Sequence, residues 1–185
     1  MSSLVAVPIL ETPRLRLRSH HLDDFPQCAA MWADPVVVRY IRPAGFTEEE
    51  SWARMLRYLG HWSLLDYGYW AVENKQTGEF LGEAGFANFH RDTQPPLLAN
   101  VPEAGWAFRA EAHGRGYASE AVAAMVSWAD SHFDTPTACI IDRNNVASVR
   151  VAEKNGYRAK RLITYRGEEV MMYERAPGQI SVAAV

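Results

Sequence analysis

The strongest chemical signal in the sequence is a glycine-rich turn, Gly114-Arg115-Gly116, which precedes a long apolar helical pattern. The first N–H groups of a helix have no partner inside the helix, and the helix dipole adds partial positive charge there. The two glycines have no side chains that would keep a large anion away, and Arg115 adds a full charge. The pattern therefore predicts a pyrophosphate site that is built from backbone amides and needs no metal.

A Gly-x-Gly turn also has plainer explanations, the simplest being a tight connection between a strand and a helix. A P-loop requires a Gly-Lys pair, which the chain lacks, and a dinucleotide fingerprint requires a third glycine where Ser119 stands. Both nucleotide motifs are therefore disfavoured. Binding of another nucleotide phosphate, such as ATP or NAD, stays open as an alternative at this turn.

A second informative segment runs from Asn144 to Tyr157. Asn145 precedes a short helical pattern, so it is either a simple N-cap, worth about 1 kcal/mol, or a ligand contact. Ser148 follows one turn into that helix, where a hydroxyl usually bonds a backbone carbonyl. For Asn145 and for Ser148, the sequence leaves both a structural role and a ligand contact open.

The composition bounds the class of protein. The chain has 185 residues, 48% of them hydrophobic and 22% charged, which is typical of one folded domain. We expect that domain to span residues 9–175, with tails at 1–8 and 176–185. A net charge of −3 argues against a general nucleic-acid binder. Apolar runs are too short for a membrane span and no positively charged leader is evident, so we expect a cytoplasmic location.

The hydrophobic periodicity predicts an α+β fold with a largely antiparallel sheet and helices packed on it. A loop is predicted at Arg91–Pro96, and two distant cysteines give no zinc framework, so no metal is expected. The seven predicted strands cover Arg14–Arg18, Tyr69–Glu73, Phe80–Phe89, Val101–Phe108, Thr137–Ile141, Ala159–Thr164 and Val170–Tyr173. The four predicted helices run from Asp23 or Asp24 to about Trp32, from a Thr47 capping box through Leu59, from about Arg115 to His132, and over Val146–Lys154.

Taken in order over about residues 9–175, these segments resemble the GNAT superfamily of acetyl-CoA-dependent N-acetyltransferases. Within it they are most similar to the group that includes the ribosomal-protein alanine N-acetyltransferases RimJ and RimL. The resemblance rests on Thr12–Arg18, Trp32–Val37, Tyr69–Val72 with Gly78–Gly82, Glu103–Phe108, Gly114–Ala121 and Asn145–Tyr157.

The resemblance implies a mostly antiparallel sheet of about seven strands, flanked by about four helices, with acetyl-CoA in an opening between two splayed strands. The splayed strands are Val101–Phe108 and Thr137–Asp142. Backbone groups near Phe108 and Arg109 then pair with the pantetheine arm, and Asn145 bonds it near the thioester. The implied pyrophosphate site comprises His113, which stands where a Gln or Arg is common, together with Gly114, Arg115, Gly116, Tyr117, Ala118 and Ser119.

The implied reaction is direct attack of an amine on the thioester, which needs a base but no cysteine nucleophile. Glu103 is the candidate base because strand alternation places it on one face with Gly105 and Ala107, and Glu83 is the reserve. Ala152 stands where many relatives carry a tyrosine acid, so Ser148 is the candidate substitute. Backbone amides near Phe108 are candidates to polarise the thioester carbonyl.

The sequence is thus interpreted as an enzyme that transfers acetyl from acetyl-CoA to a primary amine, either a protein N-terminus or a small amine. The missing tyrosine at position 152 leaves a non-catalytic acyl-CoA-binding regulatory module as the alternative. A homodimer is compatible with the family. We expect Cys28, Cys139, Trp52, Met55 and Trp128 in the core. A further aromatic set either walls the acceptor pocket or covers the sheet: Trp32, Phe46, Trp62 and Tyr67.

Overall fold

The computed structural model of the protein describes residues 6–96 and 101–178, so most of both predicted tails lies outside the described residues. One sheet of nine strands organises it, in the order β1-β2-β3-β4-β6-β7-β9-β8-β5. The strands are β1 (Leu10–Glu11), β2 (Leu15–Arg18), β3 (Tyr69–Asn74), β4 (Phe80–Ala87), β5 (Thr93–Gln94), β6 (Glu103–Phe108), β7 (Thr137–Ile141), β8 (Arg158–Tyr165) and β9 (Glu168–Arg175).

The α-helices are α1 (Phe25–Ala33), α2 (Pro35–Val38), α3 (Glu48–Leu65), α4 (Tyr117–Ala129) and α5 (Val146–Lys154). The predicted capping box is confirmed: the Thr47 hydroxyl accepts from the Glu50 N–H, and the Glu50 carboxylate accepts from the Thr47 N–H. Pro35 ends α1 and starts α2, because proline fits the first turn of a helix but not its interior. None of the helices within the described ranges combines the length and apolar composition that a membrane span requires.

The mixed α+β fold is confirmed, and the strand count differs from the predicted seven. The two additional strands, β1 and β5, have two residues each and lie at the edges of the sheet. β5 falls inside the predicted loop and pairs with Thr164 and Tyr165 of β8. A two-residue strand has no alternation to detect, so only its tertiary partner shows that it exists.

The sheet opens between its two parallel neighbours, β6 and β7. All other strand pairs are antiparallel, whereas β6 and β7 share a single register pair, Glu103 with Ala138. Beyond that pair β6 bonds β4 and β7 bonds β9, which leaves a cleft that widens toward Phe108 and Ile141. The predicted splay between these two strands is therefore present.

The two faces of the sheet carry different layers. On one face α4 packs over a core that includes Trp62, Trp70 and Phe86; on the other, α1 packs over Ala71 and Ala107. Trp62 therefore belongs to the α4 core and not to the opposite face, where Trp32 lies with Phe46.

The helix α3 turns a more polar side to the sheet than its sequence suggested. Its buried residues are Ser51, Met55, Tyr58, His61 and Trp62. The expectation for Trp52 was wrong: its side chain is 38% exposed and meets Phe25 edge to face, because it lies outside the buried stripe.

Phe86 offers a test of the α4 core, since it is fully buried and contacts Trp128 and Phe133. We expect Phe86→Ala to lower the free energy of unfolding by about 3–5 kcal/mol through lost burial and a residual cavity. Leu64→Ala is the control because Leu64 is 82% exposed, and it should change stability by about 0.5 kcal/mol or less. Urea unfolding measures both, and equal effects would contradict this description of the core.

Candidate active site

The cleft ends at two helix N-termini. β6 leads through the turn at Gly114–Gly116 into α4, and β7 leads through Asp142–Asn145 into α5. Because β6 and β7 are parallel, both helices begin at the same edge of the sheet, at the wide end of the cleft. Two positive dipole ends thus meet where an anionic ligand could be held.

The glycine turn has the backbone that its sequence predicted. Gly114 and Gly116 have φ values of 71° and 79°, a region that disfavours residues with a Cβ. Gly116 is the N-cap of α4, and within the described part of the chain no acceptor meets the N–H groups of Tyr117, Ala118 and Ser119. These amides can serve a phosphate.

An N-terminal arginine, missed by the sequence reasoning, braces this turn. Arg14 Nε lies 2.6 Å from Glu120 Oε2, and Arg14 Nη1 donates to the Arg115 carbonyl at 2.9 Å. The Thr12 hydroxyl donates to the other Glu120 oxygen at 2.6 Å. The guanidinium also lies 4.6 Å from the Tyr117 ring centroid. Glu120 therefore ties the first strands to the start of α4.

Alternate residues of β6 direct their backbone groups toward β4 and toward the cleft. The Arg109 N–H donates to the Leu81 carbonyl at 2.9 Å, and hydrogen-bonded pairs alternate along an antiparallel ladder. Trp106 and Phe108 therefore direct their N–H and C=O groups toward the cleft. Arg109 was predicted as a backbone partner of the ligand, but its N–H faces β4. Sequence reasoning missed Trp106, because a sequence does not show which residues of a strand bond to the neighbour on one side and which to the neighbour on the other.

His113 closes the turn after β6 instead of pointing freely at a ligand. Its Nε2 lies 2.8 Å from the Phe108 carbonyl oxygen, and its backbone N–H donates to Ala110. The Phe108 carbonyl thus has a partner in His113, whereas the Phe108 N–H stays available to the cleft. His113 therefore shapes the turn, as its position next to Gly114 suggests.

The N-cap role of Asn145 is confirmed, whereas the Ser148 hydroxyl bonds no backbone carbonyl of the described residues. The Asn145 side-chain oxygen caps α5 by accepting from the Ser148 N–H at 3.1 Å. Neither Asn145 Nδ2 nor the Ser148 hydroxyl bonds any residue that the structure describes. Ala152 lies one turn further on and is fully buried in the α4 core. A tyrosine there would need that core to repack.

Glu103 lies at the closed end of the cleft, where β6 meets β7. Its carboxylate is 10% exposed and accepts from Arg91 Nε and Nη2 at 2.7–2.9 Å. Arg91 in turn donates to the Tyr165 hydroxyl and lies 4.5 Å from the Phe89 ring centroid. Arg91 thus holds the carboxylate in one orientation, while Glu103 Oε2 accepts a single bond and keeps capacity for another.

Glu83 occupies a separate buried cluster. One oxygen lies 3.2 Å from His20 Nε2, and the other accepts from Trp32 Nε1 at 2.9 Å. Burial raises the pKa of this carboxyl, but the His20 and Trp32 donors outweigh burial and the net pKa is lowered. The ligand atoms of His20, Cys28 and Glu83 lie within 4.8 Å of one another. Both oxygens of the reserve base thus face donors inside a buried cluster, and Glu83 is only 1% exposed.

Two glycines let a tyrosine ring lie across the sheet beside Glu103. Gly85 is the cross-strand partner of Tyr69, and Gly105 is the partner of Gly85 on the next strand. A Cβ on Gly85 would collide with the Tyr69 backbone, and a Cβ on Gly105 would collide with the Tyr69 hydroxyl. The ring stacks on Tyr58 at a centroid distance of 4.2 Å. Tyr69 was not among the predicted site residues; the glycines at positions 85 and 105 were the available signal.

Both cysteines are confirmed as buried and free. Burial raises the pKa of the Cys28 and Cys139 thiols, which keeps them protonated and poorly nucleophilic. Neither thiol belongs to the cleft residues described above. This arrangement fits a reaction that needs no covalent cysteine intermediate.

Comparison with known proteins identifies the class that this fold and cleft define. Residues 14–158 match the acetyltransferase (GNAT) domain family. The chain therefore belongs to the GNAT acetyltransferases and is an acetyl-CoA-dependent N-acetyltransferase.

The individual relatives agree with this class. The uncharacterized protein YkkB of Bacillus subtilis is 32% identical over 176 residues, which cover 90% of this chain and 94% of YkkB. The uncharacterized N-acetyltransferase p20 of Bacillus licheniformis is 23% identical over 173 residues, covering 92% and 90% of the two chains. A GnaT-family acetyltransferase from Bordetella pertussis superposes with a TM-score of 0.80 at 30% identity, covering 92% of this chain and 100% of its own.

Two more distant structures share the fold and were solved with coenzyme A. One is RimL, a ribosomal L7/L12 α-N-protein acetyltransferase, with a TM-score of 0.72 at 15% identity, covering 91% of this chain and 98% of its own. The other is spermidine N-acetyltransferase from Vibrio cholerae, in complex with coenzyme A and spermine. Its TM-score is 0.69 at 14% identity, with coverage of 91% and 98%.

The Arg14–Glu120 brace predicts a pH-dependent contribution to stability. Burial raises the pKa of Glu120, but bonds from Thr12 and Arg14 outweigh burial and lower it below the ordinary 4.5. The contribution is therefore present above pH 4.5 and lost as the pH falls through the lowered value. We expect Glu120→Gln to reduce stability by about 1 kcal/mol at pH 7.

Urea unfolding at pH 7 and pH 3 measures this effect. The gap between wild type and Glu120→Gln should be smaller at pH 3 than at pH 7, because Glu120 begins to take up a proton as the pH falls below 4.5 while glutamine stays uncharged. The control is Glu111→Gln, because the Glu111 side chain is 73% exposed and lies 3.6 Å from its arginine. A gap that stays constant across pH would show that the charge of Glu120 does not contribute.

Proposed function

We propose that this acetyltransferase transfers the acetyl group of acetyl-CoA to a primary amine by direct attack of the amine on the thioester. The observation that carries the proposal is the cleft between β6 and β7, which ends at two helix N-termini and begins beside a carboxylate. An amine needs a base before it attacks, and the anionic end of the cosubstrate needs amide donors. The cleft offers both at opposite ends.

We assign the pyrophosphate to the turn from Gly114 through Arg115 and Gly116 to Ser119. The unpartnered N–H groups of Tyr117, Ala118 and Ser119, and the space left by two Cβ-free residues, support that fit. His113 supports the turn through the contact of its Nε2 with the Phe108 carbonyl oxygen.

The pantetheine arm fits the unpaired edge of β6 as an added strand does. Phe108 and Trp106 offer cleft-facing N–H groups on that edge, Phe108 to the pantetheine arm and Trp106 nearer the thioester, and they take the place of Arg109, whose N–H serves β4. Asn145 Nδ2 offers a donor from the start of α5. When bound, acetyl-CoA supplies the activated acetyl carbon.

We assign Glu103 as the base that takes a proton from the acceptor ammonium. Its Oε2 atom accepts only one hydrogen bond, and its pairing with Arg91 fixes its orientation; both features support this role. The amine nitrogen then forms a bond to the acetyl carbon, the carbon–sulfur bond breaks with its electrons on sulfur, and one proton moves from nitrogen to the thiol in the net reaction. Ser148 is the candidate donor to that sulfur, because its hydroxyl is free and α5 borders the cleft.

For the acceptor we propose a protein N-terminus or a small amine, in line with a RimJ/RimL-like subgroup. The distant fold relatives include one enzyme that acts on a ribosomal protein and one crystallised with spermine, which supports the amine class but does not separate the two substrates. A non-catalytic acyl-CoA-binding module is the second candidate. The buried Ala152, which leaves no tyrosine at the family position, favours it.

Acetyl-CoA binding can be tested by placing a side chain in the turn. We expect Gly116→Leu to weaken acetyl-CoA binding at least about tenfold by calorimetry, since the side chain obstructs charge-assisted bonds to phosphate. Gly178→Leu is the matched control: its φ is 70°, its Cβ position is open, and it bonds Asp130 at the other end of α4. Both variants carry about 1–2 kcal/mol of similar backbone strain.

The same titration separates the alternatives. The assignment is supported if wild type and Gly178→Leu bind acetyl-CoA tightly and folded Gly116→Leu does not. A preference of the wild-type protein for ATP or NAD would overturn it. Release of free coenzyme A thiol is then measured with spermidine or with a peptide bearing N-terminal alanine. Thiol release supports the enzyme, and its absence supports the non-catalytic acyl-CoA-binding module.

Glu103→Gln tests the base. We expect kcat to fall about 10²- to 10⁴-fold, with the affinity for acetyl-CoA unchanged because Glu103 lies at the acceptor end. Glu11→Gln is the control, since Glu11 also pairs with an arginine, Arg16, but on an edge strand away from the cleft. A Glu103→Gln enzyme with wild-type kcat would remove Glu103 from the mechanism.

A further inference from the structure

We propose that the Tyr69 hydroxyl and the Trp106 backbone N–H together form a two-donor site for the thioester carbonyl oxygen of acetyl-CoA. The inference rests on the proposed function, because it names a further catalytic residue at the same cleft. Tyr69 starts on β3, two strands away from the cleft, and its ring reaches β6 by crossing Gly85. Its hydroxyl ends on Gly105, the residue that precedes Trp106.

The hydroxyl of Tyr69 is free although its ring is buried. The residue is only 6% exposed, and its hydroxyl makes no hydrogen bond to any residue within the described ranges. Among the buried side-chain nitrogen and oxygen atoms described, those without a partner are His20 Nδ1 and Arg54 Nε. The Tyr69 hydroxyl is not among them, and it lies against Gly105, on the strand that borders the cleft.

Tyr58 provides a contrast within the same stack. The two phenol rings are nearly parallel, with 6° between their planes. The Tyr58 residue is fully buried and its hydroxyl accepts from Arg54 Nη1 at 3.2 Å. One phenol is thus enclosed between α3 and the sheet, whereas the other ends against Gly105 of β6 with no hydrogen-bond partner among the described residues.

The position along β6 matches the reactive end of the cosubstrate. The pyrophosphate turn follows the Phe108 end of the strand, and the strands close at Glu103 and Ala138. Gly105 lies three residues, or about 10 Å, from Phe108 toward the closed end. Glu103 shares the face of the strand with Gly105, so donor and base flank the same stretch of the cleft.

Two donors then reach one oxygen from different directions. The Trp106 N–H lies in the plane of the sheet and points across the cleft, by the parity of the β4–β6 ladder. The Tyr69 hydroxyl approaches from the face that carries α1 and α3. A carbonyl oxygen has two lone pairs, so it can accept both bonds at once.

The protonation state of Tyr69 suits a donor. Burial raises the pKa of this phenol well above its usual value, so the hydroxyl keeps its proton at neutral pH. During attack the carbonyl π electrons move onto oxygen while the carbon–nitrogen bond forms, and they return as the carbon–sulfur bond breaks. Tyr69 keeps its proton throughout and stabilises the charge that develops on oxygen.

This role differs from that of the tyrosine absent at position 152. Ala152 and Ser148 lie on α5, which packs against α4 on the opposite face of the sheet. A group on α5 reaches the sulfur from that face. Tyr69 reaches the carbonyl from the acceptor face, so the two assignments are independent.

The experiment is the infrared difference spectrum of [1-¹³C]acetyl-CoA bound to the full chain, which needs no acceptor. Two donors should lower the carbonyl stretch in wild type, and Tyr69→Phe should return it toward the value in water. Tyr58→Phe is the matched control, because it removes the neighbouring hydroxyl that faces Arg54. Gly105→Ala, which displaces the hydroxyl without removing it, should reproduce the Tyr69→Phe spectrum.

Activity and affinity complete the test. We expect kcat of Tyr69→Phe to fall about 10²- to 10³-fold, with the affinity for unacetylated coenzyme A unchanged. A carbonyl band that is identical in wild type and Tyr69→Phe would overturn the inference while leaving the proposed function intact. Folded wild-type protein that binds no acetyl-CoA would overturn both.

Discussion

The opening between the parallel strands β6 and β7 is the feature on which the rest of the structure depends. β6 and β7 share one register pair, and from there each strand bonds only its outer neighbour. Unpaired backbone N–H and C=O groups are costly when buried unless water or a ligand satisfies them. The opening therefore has to face solvent or hold a ligand, and it presents the Trp106 and Phe108 N–H groups at the centre of the sheet. The rest of the fold holds that opening in place.

Several contacts keep the opening from closing or collapsing. Arg14 and Glu120 fasten the start of α4 to the first strands, so the glycine turn stays at the wide end. At the narrow end Arg91 connects Glu103 to Tyr165 of β8, on the far side of β7 and β9. Ionic contacts therefore brace both ends of the cleft, and the apolar core under α4 supports its middle.

The face that carries α1 and α3 contains unusually polar chemistry for a buried layer. Glu83 and Glu103 both lie on it, and a buried carboxylate is unfavourable unless donors compensate for the loss of water. His20 and Trp32 enclose Glu83 in a buried cluster of its own, whereas Arg91 holds Glu103 at the closed end of the cleft. The Tyr69 ring lies on the same face and ends against Gly105. Position relative to the cleft separates structural from reactive residues on this face.

Local sequence signals determined most of the elements. The Thr47 capping box, the α4 and α5 periodicities and the run at Thr137–Ile141 predicted segments that the structure contains, and the Gly114–Gly116 turn has the positive φ values that its glycines implied. These features depend on neighbours a few residues apart, so the sequence alone can report them. The two-residue strands β1 and β5 escaped prediction because a partner far along the chain defines them.

Tertiary structure decided which of the candidate groups are available for chemistry. Ladder register turned the Arg109 N–H toward β4 and the Trp106 N–H toward the cleft, and it placed Tyr69 over Gly105. Packing enclosed Glu83 with His20 and Trp32, placed Glu103 at the closed end of the cleft, and left Trp52 at the surface. The helices, the glycine turn and the class of fold could be predicted without the structure, because they follow from local propensity and periodicity. Only the assembled sheet decided which donors face the cleft, since that depends on the pairing of residues distant in the chain.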